Sequence, residues 1–273
     1  MNNKVKIWGA TLIALTCLGS TAPSQAAGIA APPASVGVAT DIAIPASVLN
    51  ATFGDEMGMS QSLASLKGKT VLVVPLLTLC GDTCPFTSAN MAQIQSKLAA
   101  AKASNVVVVG ITVDPYRDTQ NRIASYLKLI SANFDIWTPT GSTTAPVITK
   151  AELASKNPVG TGDTNPNLSA FEKFFGWTVQ VIPQDNPPAQ DWLAPYKPLT
   201  YDINHSDGFW IIDPSQHVRF ASGTQPAFTG TLSKTLATFM GYKSNIYKSP
   251  VYKGGWTPAQ VLQALSFVDQ KKY

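Results

Sequence analysis

The sequence is poor in charge, in histidine and in cysteine. Charged residues make up 13% of its 273 residues, against 45% hydrophobic ones, so long charge-rich disordered tracts are not expected. The formal net charge is +4; setting aside Lys4 and Lys6 leaves 18 basic against 16 acidic residues, a balance of +2. No run of Lys and Arg occurs. The electrostatic footprint of a nucleic-acid partner is missing, which excludes that function class. A Gly-rich phosphate loop, a Gly-x-Ser-x-Gly elbow and a His-Glu-x-x-His helix are also absent. Beyond the N-terminus, no segment approaches the roughly 20 apolar residues that span a bilayer. The length suits one sizeable core with room for an inserted segment.

Residues 1–26 read as an export signal. Lys4 and Lys6 precede an apolar stretch from Ile7 to Leu18, and Ser24-Gln25-Ala26 offers small residues for cleavage. An uncleaved N-terminal membrane anchor is the alternative. Thr16 stands before Cys17, where a lipoprotein signal carries Gly, Ala or Ser, so lipidation is not expected. Of three cysteines, the mature chain then keeps Cys80 and Cys84. One close pair in an exported chain is no disulfide framework. It is a local disulfide, a redox couple or a metal site.

Residues 27–47, rich in Ala, Pro, Gly and Val, read as a linker before one domain over 48–273. Thr70–Thr78 and Asn105–Val113 are near-continuous apolar runs, as expected of strands buried on both faces. Pro75 removes a ladder donor and predicts a bulge or an edge exposure. A helix is expected from Pro85 through Leu98 and another over Arg122–Ile130, with a short strand at Phe134–Thr138. That alternation implies a parallel α/β core with right-handed crossovers. Residues 141–167 read as an irregular insertion, followed by a helix at Ser169–Phe175 and a strand at Pro198–Ile203. Phe209–Asp213 and His217–Ala221 could pair as a hairpin. Helices are expected at Phe228–Met240 and Thr257–Val268.

The chemistry concentrates in Leu79-Cys80-Gly-Asp-Thr-Cys84-Pro85. A buried strand ends there, a tight loop follows and a helix begins, so the pair sits at the carboxyl edge of the sheet, where such folds place ligands. A helix N-terminus stabilises a thiolate, which metal binding and thiol exchange both need. The three-residue gap allows two sulfurs to bite one metal and still allows a disulfide. Two thiolates favour Cu(I) and call for a third ligand. Only His205 and His217 are available. His205 opens a Ser-Asp-Gly turn and could complete a two-sulfur, one-nitrogen set, or be a solvated loop histidine. His217 reads as an exposed strand residue.

Leu66-Lys-Gly-Lys-Thr-Val-Leu, Cys80-Gly-Asp-Thr-Cys84-Pro85, Thr112-Val-Asp-Pro-Tyr-Arg-Asp-Thr119 and Asn204-His205-Ser206 before Ile211-Ile-Asp-Pro214 occur in one order. Together, over roughly Phe53 to Phe220, they resemble the Sco/SenC family. The resemblance implies a thioredoxin-like fold: a central mixed β-sheet flanked by helices, here with an insertion and a C-terminal extension. It implies copper, Cu(I) or Cu(II), bound by Cys80, Cys84 and His205. It also implies a periplasmic metallochaperone that delivers copper to the copper site of a cytochrome c oxidase subunit, fed by a copper donor protein or a thiol reductant. Asp82 matches an acid the family often carries in its Cys loop, and Asp114, with Arg117 and Asp118, a supporting ion-pair and capping cluster. Gly81 stands where the family commonly has Pro, and Asn204 replaces the usual Asp before the His. The competing reading is an enzyme, a thiol-disulfide oxidoreductase cycling Cys80 and Cys84 to reduce a partner's cysteines. A static disulfide in a substrate-binding domain is a third.

Overall fold

The two long apolar runs form neighbouring parallel strands at the centre of the molecule, in unbroken register from Thr70 opposite Val106 to Leu76 opposite Thr112. The computed structural model describes residues 28–143, 165–184, 188–194, 197–228, 234–240 and 255–273. The expected export signal and most of the 141–167 insertion lie outside the described residues. In chain order the elements are β1 (Val38–Ala43), α1 (Ala46–Leu49), β2 (Phe53–Gly54), β3 (Ser60–Gln61), β4 (Thr70–Leu76), α2 (Cys84–Ala100), β5 (Val106–Thr112), α3 (Gln120–Ile130) and β6 (Asp135–Pro139). There follow α4 (Pro166–Phe175), β7 (Val179–Pro183), β8 (Tyr201–His205), β9 (Phe209–Ile212), β10 (His217–Ser222), α5 (Lys234–Phe239) and α6 (Pro258–Asp269).

The main sheet runs β1-β10-β9-β4-β5-β6-β2-β3. Strands β4, β5 and β6 are parallel, as the βαβα pattern requires. Strand β9 lies antiparallel on β4, and β10 antiparallel on β9, so the sheet as a whole is mixed. The order β10-β9-β4-β5, with α2 joining the parallel pair and α6 following the antiparallel one, is the thioredoxin-like arrangement. Strand β1 falls within the expected linker: residues 38–43 pair with β10 and extend the sheet edge. Strands β7 and β8 form a separate two-stranded sheet.

Strand alternation sorts the core onto two faces. Val71 and Val73 join one cluster with Phe171 and Phe175 of α4 and with Val181, Tyr201 and Ile203 of the small sheet. Leu72, Val74 and Leu76 face the other way, onto Met91 and Ile94 of α2, Tyr126 of α3 and Leu265 of α6. Pro75 sits in a central strand without a bulge toward β5. Odd-numbered residues of β4 face β9, whose pairing ends at Val73, so the missing N–H falls beyond the end of that ladder. Helix starts follow capping chemistry. Thr119 accepts from the Arg122 N–H, Asn165 from the Asn167 and Leu168 N–H groups, and Thr257 with Gln260 forms a capping box.

Asp118 braces the framework just ahead of the Cys loop. It is wholly buried and accepts from the Thr78 N–H at 3.1 Å, from the Thr78 hydroxyl, and from the Thr112 hydroxyl at 2.6 Å. Burial, then the neighbouring Asp114 charge, push its pKa up to about 6 against the pull of those bonds. Asp118→Ala strands three buried donors and is expected to cost about 2–4 kcal/mol, read as a lower thermal midpoint. Because the folded pKa exceeds the unfolded one, this carboxyl's own contribution is complete below about pH 4 and is lost as pH rises through 6. The stability gap between wild type and Asp118→Asn should therefore narrow from pH 4 to pH 7, and a widening gap contradicts that assignment.

Candidate metal and redox site

Strand β4 delivers the chain to the carboxyl edge of the sheet, and α2 starts at Cys84 with Pro85 in its first turn. Cys84 is buried and Cys80, on the preceding loop, is half-buried; neither is in a disulfide. His205 ends β8, where it pairs with Val179 of β7. Its Nε2 lies 3.1 Å from the Cys84 Sγ. Its Nδ1 lies 2.8 Å from the Ser206 carbonyl, a partner that can only accept, so Nδ1 carries the proton and Nε2 presents a lone pair to the sulfurs. The imidazole and the Cys80 sulfur also act on each other's acidity.

The two sulfurs are driven apart in acidity. Cys80 is held well below an ordinary thiol: the Cys84 side chain bonds its thiolate, and His205 and the Cys84 backbone N–H outweigh the cost of burial. The Asp82 N–H also points at this sulfur, at 3.4 Å. Burial, then the bond and charge of Cys80, push Cys84 well above the usual range. For His205, burial works to lower the pKa, but the Cys80 thiolate and then the Asp207 charge raise it on balance. Cys80 is thus the more acidic thiol of the pair and Cys84 the less acidic one.

Among the described residues, no group of three or more His, Cys, Asp or Glu side chains is placed as it stands to hold a metal ion. The dithiol and imidazole are instead closed on one another. A first-row metal bound at about 2.0–2.3 Å from N and S needs those atoms about 3.5 Å apart, a few tenths of an ångström beyond the present contact. The donor set, the fixed tautomer and the small opening required are compatible with a soft metal.

The site opens into a pocket of about 450 Å³. Asp82, Asp202 and Asp207 line it together with Cys80, Thr83 and His205, and among the described residues no Lys or Arg lines it. Asp82 is exposed and meets the site through its backbone N–H. Asp114 lies further off, paired with Arg117 and accepting from the Tyr201 hydroxyl at 3.0 Å, so it reaches His205 only through strand β8. His217 is remote, with its Nδ1 2.7 Å from Asp41 at the sheet edge. A larger cavity, of about 660 Å³ beside Arg117 and Arg122, contains no Cys or His.

Three contributors escaped sequence reasoning. Asp207 reads as turn chemistry before Gly208, yet its side chain bonds Thr83 and its charge acts on His205 and Cys84. Thr83 reads as a plain loop residue. Trp192 lies in a Pro-rich stretch without periodicity, but its indole donates to the Thr78 carbonyl at 2.8 Å and its ring meets Tyr126 at 5.8 Å. Arg122, bonded in two places to Asp191, holds that loop down. Gly81 has open space around it and needs no special backbone conformation, so its role is to leave the loop free rather than to avoid a clash.

Fold and site together define a thioredoxin-like domain with a dithiol and an imidazole gathered at its sheet edge. Residues 50–156 match the SCO1/SenC family model. A SCO1 protein homolog of Bacillus subtilis is 33% identical over 86 residues, 32% of this chain and 44% of that protein. A Stutzerimonas stutzeri protein with copper binding in its name is 32% identical over 80 residues, 29% of this chain and 39% of that protein. The chain thus spans less than half the length of these curated relatives. Among solved structures, copper-bound ScoI of Bradyrhizobium japonicum has a TM-score of 0.46 at 17% identity, covering 76% of this chain and 99% of that one. No helix among the described residues is long and apolar enough to cross a membrane.

The unequal acidities generate a direct expectation. At pH 6, iodoacetamide should modify Cys80 about tenfold or more faster than Cys84, and Cys80 should stay reactive as pH falls below the range of ordinary thiols. Peptide mass spectrometry after short exposures reads this. Equal rates at the two positions would show that the asymmetry is wrong.

Proposed function

We propose that this chain is a periplasmic copper carrier, holding one Cu(I) or Cu(II) at Cys80, Cys84 and His205 and passing it to the copper site of a cytochrome c oxidase subunit. The observation that carries the reading is the lone pair of His205 Nε2, aimed at the Cys84 sulfur at 3.1 Å from a ring whose other nitrogen is already bonded. Thiolates and imidazole together suit both oxidation states of copper. The pocket leaves one side of the site open, so an incoming thiolate of the acceptor can displace the protein's ligands one at a time. The negative lining of the pocket favours a cation at that mouth. Export through the N-terminal segment would place the exchange in the periplasm.

A second reading rests on the split thiol acidities. Here the Cys80 thiolate attacks a partner's disulfide, forming a mixed disulfide and releasing one partner thiolate. Cys84 then gives up its proton and attacks the Cys80 sulfur. The second partner thiolate leaves, and the two electrons end on the partner while Cys80 and Cys84 close as a disulfide.

The two readings part at His205. Titration of the reduced protein should saturate at one copper per chain, and His205→Ala should weaken Cu(II) binding by about a hundredfold or more. Thiol-disulfide exchange by the same variant should largely persist. Unchanged Cu(II) affinity in His205→Ala would move the assignment to the oxidoreductase.

A further inference from the structure

The turn His205-Ser206-Asp207-Gly208 is anchored from opposite sides. Toward β7, the Ser206 N–H donates to the Thr178 carbonyl at 3.0 Å, and the Ser206 hydroxyl accepts from the Thr178 N–H at 2.9 Å. Toward the core, the Asp207 carbonyl accepts from the indole N–H of Trp256 at 3.2 Å. Trp256 lies two residues before α6 and is wholly buried, with its ring edge-on to Phe209 at 5.5 Å. A Cβ at Gly208 would come within 1.8 Å of the Ser222 carbonyl oxygen, so only glycine lets the turn press against β10. Residues 225–227 carry the other end of this anchor. The Trp256 backbone N–H donates to the Gln225 carbonyl at 3.0 Å, and the Ala227 N–H donates to the Trp256 carbonyl at 2.7 Å. The side-chain amide of Asn90, a buried residue of α2, donates in turn to the Ala227 carbonyl at 2.8 Å. A buried chain of hydrogen bonds therefore runs from the helix that starts at Cys84, through Trp256, to the turn that starts at His205.

We infer that Trp256 is a positioning residue for His205, holding the imidazole in place beside the Cys84 sulfur through the Asp207 carbonyl. The consequence for metal affinity rests on the copper reading, whereas the placement itself belongs to the metal-free protein. Two successive carbonyls of the turn divide the task. That of Ser206 lies 2.8 Å from the ring Nδ1 and sets the orientation of the imidazole. That of Asp207 is held by the indole. The two peptide units are planar and share the Cα of Asp207. Without the indole bond the turn can rotate there, and the Ser206 carbonyl then carries the ring out of its 3.1 Å contact with Cys84. Groups that orient a ligand from behind matter nearly as much as the ligand itself. The operative atom is the indole N–H. Trp137, an equally buried indole in β6, has an N–H without a hydrogen-bond partner, so burial of an indole in this fold does not by itself demand one.

The test compares the full reduced chain with Trp256→Phe, which keeps an aromatic ring against Phe209 and removes the donor. Trp137→Phe is the matched control, since it trims a buried indole whose N–H has no partner. In metal-free protein at neutral pH, the ring-nitrogen NMR signals of His205 should move or broaden in Trp256→Phe and stay at their wild-type positions in Trp137→Phe. On titration with Cu(II), Trp256→Phe should lose about tenfold in affinity and change the thiolate-to-copper absorption band, and Trp137→Phe should keep both. Both variants should melt at lower temperature, so the ring signals and not the midpoint separate positioning from packing. If Trp256→Phe does not fold, benzothienylalanine at position 256 keeps the bicyclic shape, lacks the N–H and carries the same comparison. Wild-type ring signals or wild-type Cu(II) affinity in the position-256 variant would overturn the inference, as would equal changes in Trp137→Phe. Wild type that takes up no copper would remove the copper reading, and the metal-free ring signals would then decide the positioning role alone.

Discussion

Everything at this site depends on clamping a small hairpin, outside the main sheet, against the edge that carries the cysteines. Among the described residues, strands β7 and β8 pair only with each other, and no ladder hydrogen bond ties His205 to β4 or α2. The clamp is made of side chains. Arg117 donates to the Tyr201 carbonyl at 2.7 Å, and its guanidinium lies 3.7 Å over the Tyr201 ring. Asp114 pairs with Arg117 and accepts from the Tyr201 hydroxyl. Beneath them, Trp177 stacks on Phe175 and meets Trp210 of the main sheet. Apolar burial supplies the adhesion, and the directional polar contacts select one position along β8. That position brings the imidazole to the sulfurs.

With the hairpin in place, the electrostatics of the pair follow from where each sulfur sits. Cys84 is enclosed at the head of a 17-residue helix, and a proton there avoids the cost of a buried charge. Cys80 looks into the pocket and accepts from the Asp82 N–H, with the Cys84 backbone N–H also favouring its charged form. A single dithiol thus divides into one more acidic and one less acidic sulfur. That arrangement suits the first step of either metal capture or thiol exchange. The histidine, with its proton on the far nitrogen in the neutral ring, turns Nε2 toward the Cys84 sulfur.

The loop that roofs the region shows how much of the architecture is local reinforcement. Trp192 donates to the carbonyl of Thr78, the residue whose N–H and hydroxyl are taken by Asp118. One backbone position at the end of β4 is therefore bound from both sides. The cysteine loop departs from a rigid point although the loop itself contains an unconstrained glycine. Mobility is allowed at Gly81 and refused on either side of it.

Much of this was legible in the chain itself. Continuous Val- and Leu-rich runs announced β4 and β5, because strands covered on both faces admit little else. After the first run, Pro85 and the spacing of Met91, Ile94 and Leu98 identified a helix. Cys80 and Cys84 declared themselves by proximity, since a three-residue gap at a strand-to-helix junction is a local property. Strand β1 was hidden in a stretch that reads as a linker, because an exposed edge strand has no buried face to impose a pattern on it. The meeting of His205 with the sulfurs, across 121 positions, was decided only in three dimensions. So was the part played by Asp207, Thr83 and Trp192. Spacing along a chain records which residues share an element, whereas contacts between elements depend on how their surfaces pack, and that packing is settled by the whole fold at once.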